Sequence, residues 1–390
     1  MKPLGGRRRP VDGTEVERPV LSTMDVSVPV ERVEASAYTI PTDAPEADGT
    51  FTWSTTTLVL VQVEGGGRIG TGWTYGSMVT AALVRNALAP ILEGRVFDSV
   101  PQAWTEQVIA LRNIGRPGIG AMAVSAVDCA LWDLQARLAD VPLHQLLGAQ
   151  REAVPLYGSG GFTSYDYAKL NAQLGDWLDH GLHQVKIKVG EDWGKKEARD
   201  LARLRQTLET VGPDVEVFVD ANGAYTRDQA VRLSSTFDEL GVRMFEEPVS
   251  SDDLIGLEAV RNTCRADVAA GEYGYDLAYF RHLFEAGAVD CAQVDITRCG
   301  GITELIRIAR LADEYYLDIS GHGAPHQQVA ALATVPNLRQ MEWFHDHVRI
   351  EQMLFEGTRP VTEGVLPLDD GASGNGLTWR AQEASRYRVL

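Results

Sequence analysis

Between residues 184 and 345, short apolar runs repeatedly end in charge. They are VKIK at 185–188, VFVD at 217–220, MFEE at 244–247, VAAGE at 268–272, AQVD at 292–295, DISGH at 318–322 and QMEWF at 340–344. One polar residue from each gives Lys188, Asp220, Glu246, Glu272, Asp295, His322 and Glu342, at steps of 32, 26, 26, 23, 27 and 20 residues. A strand, a loop, a returning helix and a second loop use about that much chain, so each step predicts one β/α unit. Parallel strands point one way, which gathers successive strand ends on a single rim. In an eight-stranded β/α barrel the C-terminal rim is where active sites lie.

A chain of 390 residues holds one such barrel, of roughly 250 residues, plus a second, smaller domain. No apolar run approaches the ~18 residues of a membrane span. The arginine-containing start, MKPLGGRRRPVDGTEVERPV, has no apolar segment behind it and does not read as a secretory signal. Residues 1–27 are expected to form a disordered, solvated tail. A net charge of -18 argues against nucleic acid as a partner, since phosphate binding needs a basic surface. It also means that an anionic substrate must be captured by local charge against the global field. Cys129, Cys264, Cys291 and Cys299 have no metal-type spacing and read as free thiols of a cytoplasmic protein.

From Val28 to about residue 150 the chain reads as an α+β domain. VERVEASAYTI and TTTLVLVQVE are two strands, joined by a Pro/Gly/Asp-rich loop, 40–53, that is too long for a tight hairpin. The glycine-rich GGGRIGTGWTYG lacks the strand–turn–helix context of a dinucleotide loop. Helical periodicity follows from Met78 to Leu147, with Asp128 and Asp133 expected to be structural or capping groups. VPLYGSGGF at 154–162 supplies the first barrel strand, and seven helical stretches separate it from the later ones. The barrel is expected over 151–355, with the helix after the eighth strand weak or missing. The segment 356–390 is expected to pack back on the first domain.

Three carboxylates on adjacent strand ends repel one another unless something neutralises them, and a hard divalent cation with oxygen ligands does so. Any one of them alone would read as a helix cap or a surface charge; Asp220, Glu246 and Glu272 together read as a Mg²⁺ site. Lys186 and Lys188 alternate along one strand and so face the same side, toward the pocket. If each lowers the pKa of the other, Lys188 serves as a neutral base. Asp295 and His322 end consecutive strands, and an aspartate behind a histidine fixes its tautomer and raises its basicity. Glu342 closes the rim, where it would bind an oxyanion if protonated, or else a hydroxyl. A metal flanked by a lysine and a histidine suits removal of the α-proton of a carboxylate substrate.

At these residues the sequence resembles the enolase superfamily, in its mandelate racemase branch. The resemblance runs from about residue 28 onward, through ALWDLQ, PLHQLLG, KIK, VDAN, FEEP, GE, VD followed by CGG, and His322. It implies a (β/α)7β barrel of the TIM type, with an α+β capping domain built from the N-terminal region and the C-terminal tail. It further implies Mg²⁺ on Asp220, Glu246 and Glu272, with Lys188 as one acid/base and Lys186 beside it. The Asp295–His322 pair would be the other acid/base, and Glu342 a hydrogen-bond donor to an enediolate. Dehydration of a sugar acid is the expected reaction, with racemisation or lactone cycloisomerisation as the alternatives. A homo-oligomer, dimer or octamer, is also implied. Asn222, Arg298, His326, Trp53 and Tyr75 are further candidates for reading the substrate.

Overall fold

The computed structural model describes residues 28–390, so the expected tail over 1–27 lies outside the described residues. An antiparallel sheet opens the chain: β1 (Arg32–Ala47), β2 (Thr52–Gly65) and β3 (Arg68–Tyr75) pair in order. The expected long loop is instead the end of a β-hairpin. A bulge between Pro41 and Glu46 absorbs the extra residues, after which Glu46 pairs with Trp53 and Ala47 with Thr52. Asp48 closes the turn by accepting from Thr50 N and Phe51 N at 2.5 and 2.7 Å. The glycine-rich stretch is likewise a strand, because its glycines answer a packing demand. A Cβ on Gly70 or Gly72 would lie 2.1 or 2.4 Å from backbone oxygens of α1 (Ile119–Leu138), which presses flat against β3.

Eight parallel strands follow: β4 (Ala153–Gly160), β5 (Gln184–Lys188), β6 (Glu216–Asp220), β7 (Met244–Glu246), β8 (Asp267–Ala270), β9 (Cys291–Val294), β10 (Asp318–Gly321) and β11 (Leu338–Phe344). They pair in chain order, and β11 closes on β4 with Glu342 opposite Tyr157, so the barrel is complete. Each strand divides its side chains by the period of two. Val185 and Ile187 face the helix layer and are fully buried, worth on the order of 1.5–3 kcal/mol each. Lys186 and Lys188 therefore face inward. Tyr157, Phe218, Met244, Ala269 and Cys291 form a separate apolar cluster inside the barrel. Phe218 and Met244 stand two residues before Asp220 and Glu246, so this cluster is the floor beneath the rim.

A helix does follow the eighth strand, contrary to expectation: α5 (His345–Leu354, after α2 Tyr167–Asp179, α3 Gly301–Glu314 and α4 Pro325–Leu332). Its polar composition misleads because Asp346, His347 and Glu351 are buried against the capping domain and α4 rather than exposed. Beyond it the chain returns to the first domain. Trp379 packs on Tyr38 with ring centroids 4.9 Å apart, and Asn375 bonds Asp133 and Thr71 O. Asp128 and Asp133 act structurally. Asp128 accepts from Thr303 N and Oγ1, tying α1 to α3, and Asp133 accepts from Thr71 N. None of the helices among the described residues is long and apolar enough to cross a membrane.

Candidate active site

Register brings the rim together. Lys188 pairs laterally with Asp220, and Asp220 with Glu246, so three charged groups stand side by side on consecutive strands. Glu272 lies two residues beyond β8, and the carboxylates of Asp220, Glu246 and Glu272 present oxygens within 4.8 Å of one another, all buried. Lys188 Nζ lies 2.5 Å from Asp220 Oδ2, while Lys186 Nζ lies 2.7 Å from Glu246 Oε2 and 2.9 Å from Glu342 Oε1. His322 follows β10 directly. Its Nδ1 lies 2.8 Å from Asp295 Oδ2, and its Nε2 lies 3.1 Å from Glu272 Oε2 and 3.5 Å from Glu342 Oε2. Four strands separate β5 from β10 one way round the barrel and two the other. Lys188 and His322 thus approach the three carboxylates from opposite halves.

Electrostatics explain what this crowding costs. Burial, reinforced by Asp220 and Glu342, pushes the Glu246 carboxyl up to about 8 despite Lys186. One of its oxygens, Oε1, is buried without a hydrogen-bond partner, as is Oδ1 of Asn222. Converging acids with oxygen left over form a donor set suited to a hard divalent cation, so the residues present fit Mg²⁺ on Asp220, Glu246 and Glu272. Burial and Lys186 lower Lys188, but Asp220, Glu272 and Glu246 together outweigh them and hold the ammonium well above its ordinary range. The expectation that the two lysines make Lys188 neutral is therefore not met here: a carboxylate at contact distance counts for more than a neighbouring ammonium. His322 is raised in the same way, with Glu272, Glu342 and Asp295 overcoming burial.

Glu342 accepts at every contact. Ser159 Oγ donates to it at 2.6 Å and Gly323 N at 2.9 Å, with Lys186 beside them. Burial raises this carboxyl, yet Lys186, His322 and Lys188 hold it well below the usual range. It stands here as an ionised anchor, and a donor role would require it to take up a proton.

The further candidates divide. Asn222 adjoins the ligand set, with its N–H on Asp220 Oδ1 at 2.9 Å. Arg298 spans the site, with Nη1 3.2 Å from Glu272 Oε1 and Nε 3.4 Å from Asp295 Oδ2. His326 is fully buried elsewhere. Its Nδ1 meets Glu351 Oε2 at 2.8 Å and its Nε2 meets Arg359 O at 3.2 Å, so both nitrogens are spent and it is not free to read a substrate. Tyr75 lies with its ring stacked on His347, centroids 3.6 Å apart, and its hydroxyl 3.5 Å from Glu351. Trp53 Nε1 bonds Glu46, which ties it to the hairpin.

Sequence reasoning missed several supporting groups. Gln293 Nε2 donates to Glu246 Oε2 at 2.6 Å; it stands two residues before Asp295, so the period of two would have found it. Ser159, at the end of the first barrel strand, carried the same signal. His347, whose Nδ1 accepts from Ala324 N at 3.1 Å, carried none.

A closed parallel barrel under an α+β cap, with three carboxylates between a lysine and an aspartate-backed histidine, defines an enolase-type site. Family models match over both parts: mandelate racemase / muconate lactonizing enzyme, N-terminal domain, at residues 34–148, and enolase C-terminal domain-like at 169–384. The chain belongs to the mandelate racemase / muconate lactonizing enzyme family. It is 31% identical to 3,6-anhydro-alpha-L-galactonate cycloisomerase of Streptomyces coelicolor, over 92% of this chain and 99% of that one. It is 28% identical to arabinonate dehydratase of Saccharolobus solfataricus, over 82% and 86%. Among solved structures, a mandelate racemase/muconate lactonizing enzyme-like protein from Rubrobacter xylanophilus is 45% identical with a TM-score of 0.89, over 93% of this chain and 100% of that one. A racemase from Streptomyces coelicolor with bound magnesium is 29% identical with a TM-score of 0.87, over 92% and 100%.

Proposed function

We propose that this protein removes the α-proton of a sugar acid with Mg²⁺ as cofactor and dehydrates it to a 2-keto-3-deoxy acid. The observation that carries the reading is the placement of Lys188 and His322 on opposite halves of the barrel, facing one set of three carboxylates. Mg²⁺ held by Asp220, Glu246 and Glu272 would supply the charge that binds the substrate carboxylate and lowers the cost of removing its α-proton.

The chain's own residues then divide the work. Lys188 Nζ, once it has given up its proton, takes the α-proton on one face, with Lys186 fixing the charge around Glu246 and Glu342. His322 carries its proton on Nε2, because Asp295 takes the hydrogen bond at Nδ1, and delivers it to the departing β-hydroxyl, which leaves as water. The enol left behind tautomerises to the 2-keto acid. Arg298 keeps Glu272 and Asp295 in place from behind. Glu342 positions Lys186 and, once it has taken up a proton, donates to the developing oxyanion.

The reading is tested by incubating the Mg²⁺-loaded protein with a library of aldonates and aldarates in D2O. Formation of a semicarbazide-reactive keto acid with loss of one water supports it; no keto acid from any member would end it. A second reading, cycloisomerisation on the same site, is favoured by the similarity to the Streptomyces coelicolor cycloisomerase. It would show deuterium exchange with no loss of water. Assembly into a homo-oligomer and a cytoplasmic location belong to the same proposal. Exposed apolar side chains on the capping domain, such as Met78, Val79, Ile109 and Ile114, support the first, and the buried free thiols of Cys129, Cys291 and Cys299 the second.

A further inference from the structure

The tip of the β1–β2 hairpin sits directly on the rim. A Cβ on Gly49 would lie 2.8 Å from Val189 O and from Ala221 O, the residues that follow Lys188 and Asp220. Gly49 O accepts from Trp193 N at 2.9 Å, and Thr163 bonds Ala47 O and Asp48 O, so the tip is clamped to three barrel loops. The barrel interior below Lys186 and Asp220 is filled by the apolar floor. A substrate whose carboxylate meets the three acids therefore extends away from the floor, toward the side of the rim that this hairpin covers.

What it meets there is acceptor and negative charge. Asp48 is half-buried at the tip, within electrostatic reach of Lys188 and of Tyr273 on the loop after β8. The three hydrogen bonds it accepts, from Thr50 N, Thr50 Oγ1 and Phe51 N, all end on Oδ1, which leaves Oδ2 unspent. Asn222 Oδ1 and Glu247 Oε1, both beside the ligand set in sequence, are buried without partners. Further along the hairpin, Asp43, Glu46 and His345 bring ligand atoms within 4.8 Å of one another.

Cations that approach this face are already paired. Arg298 holds Glu272 and Asp295, Arg199 pairs with Glu191, Lys169 Nζ lies 3.5 Å from Asp43, and Arg349 bonds Asp346 at 2.6 Å. His347, the histidine packed behind His322 and Glu342, carries no charge at neutral pH, since burial lowers it to about 4. The cations named here are thus engaged by carboxylates of the chain, and Arg203, next to Lys188, is held by the backbone oxygens of Lys188, Gly161 and Phe162, while the distal wall presents acceptors.

Resting on the reading of the site as a sugar-acid enzyme, we infer that the substrate carries a single carboxylate, with a neutral hydroxylated chain that donates to Asp48 and Asn222. A second carboxylate at the far end would face the Asp48 carboxylate with no cation to receive it. Like charges brought together in a closed site cost several kcal/mol, whereas hydroxyl donors match the open acceptors. The site is thus built for aldonates and against aldarates.

The test uses the full chain with Mg²⁺ and pairs of one configuration: gluconate with glucarate, galactonate with galactarate, xylonate with xylarate. For the pair that reacts, kcat/KM for the monoacid is expected to exceed that for the diacid by about 100-fold. Asp48→Asn keeps the Oδ1 acceptor that closes the turn and removes the charge; it should narrow that ratio about tenfold. Diacids used as well as or better than monoacids would overturn the inference while leaving the dehydration reading intact. Turnover of neither class would remove both. A ratio unmoved by Asp48→Asn would overturn Asp48 as the discriminating charge.

Discussion

Asp295 holds His322 from behind: Oδ2 of the aspartate lies 2.8 Å from Nδ1 of the histidine, and both side chains are buried. That contact fixes the tautomer and turns Nε2 toward Glu272 and the carboxylate set. His322→Asn should lower turnover by about 10²–10⁴-fold, the range for loss of a general acid or base. Asp295→Asn leaves the imidazole but reverses the hydrogen bond's polarity, so a loss of comparable order is expected. Lys188→Ala should likewise abolish product, yet the two sides differ in isotope exchange. If Lys188 is the base and His322 the acid, His322→Asn retains washout of the α-hydrogen into D2O, and Lys188→Ala does not. Washout lost in both variants would sink that division of roles.

Metal removal is the second expectation. Asp220, Glu246 and Glu272 are buried close together, and the raised Glu246 carboxyl shows that the chain alone does not neutralise them. An ion bound only by the folded form adds stability by mass action, ~2.7 kcal/mol at a concentration 100 times Kd. Mg²⁺ should therefore raise the midpoint of thermal unfolding, and EDTA should reverse the rise and the activity together. Asp220→Asn is expected to erase the Mg²⁺-dependent shift, whatever it does to the metal-free midpoint. A full shift retained in that variant would place the ion elsewhere.

Much of this architecture was legible because strand periodicity and charge coincide. Lys186 and Lys188 could be assigned to one face by counting in twos, and Asp220, Glu246 and Glu272 to one rim by their spacing. Long-range geometry was not legible. Pro41 to Glu46 reads as loop because proline and acidic residues disfavour strands, yet the bulge accommodates them within a pairing set by β2. Gly70 and Gly72 read only as part of a glycine-rich stretch without a dinucleotide-loop context, whereas their role is to let α1 approach β3. The protonation of Lys188 depends on a carboxylate 32 residues away at 2.5 Å, a distance that no local pattern encodes. His326 reads as a substrate contact because it stands close to His322 in sequence, whereas Glu351 on α5 takes its Nδ1.

Glycine substitutions separate close packing from mere freedom. A methyl group on Gly72 would lie 2.4 Å from Ala126 O and 2.6 Å from Ala130 N, both rigid backbone atoms of α1. Gly72→Ala should cost about 3 kcal/mol as strand and helix are forced apart. Gly175, within α2, has no atom within 4 Å of its added Cβ. Gly175→Ala should stabilise by roughly 0.5–1 kcal/mol, because alanine loses less conformational freedom in a helix. Urea denaturation of the two variants checks the pair. Equal effects would mean that β3 and α1 can separate without penalty.

The buried His347 should make stability depend on pH in acid. Burial pushes its imidazole from the ordinary 6.5 down to about 4, against the pull of Asp346, Asp295 and Glu342 and with the help of His322. Because the folded value lies below the unfolded one, the unfolded chain binds the proton more readily. The stability associated with neutral His347 is therefore present in full above about pH 6.5 and is lost as pH falls toward 4. Across that window a shift of this size corresponds to about 3 kcal/mol. His347→Asn retains an acceptor for Ala324 N but has no group that titrates there. Unfolding midpoints of wild type and variant, measured every half unit from pH 8 to pH 4, should run parallel above pH 7. Below it they should converge or cross as the wild type loses ground. Curves that stay parallel down to pH 4 would show that His347 keeps its ordinary affinity for protons and that the Tyr75 stack does not hold it neutral.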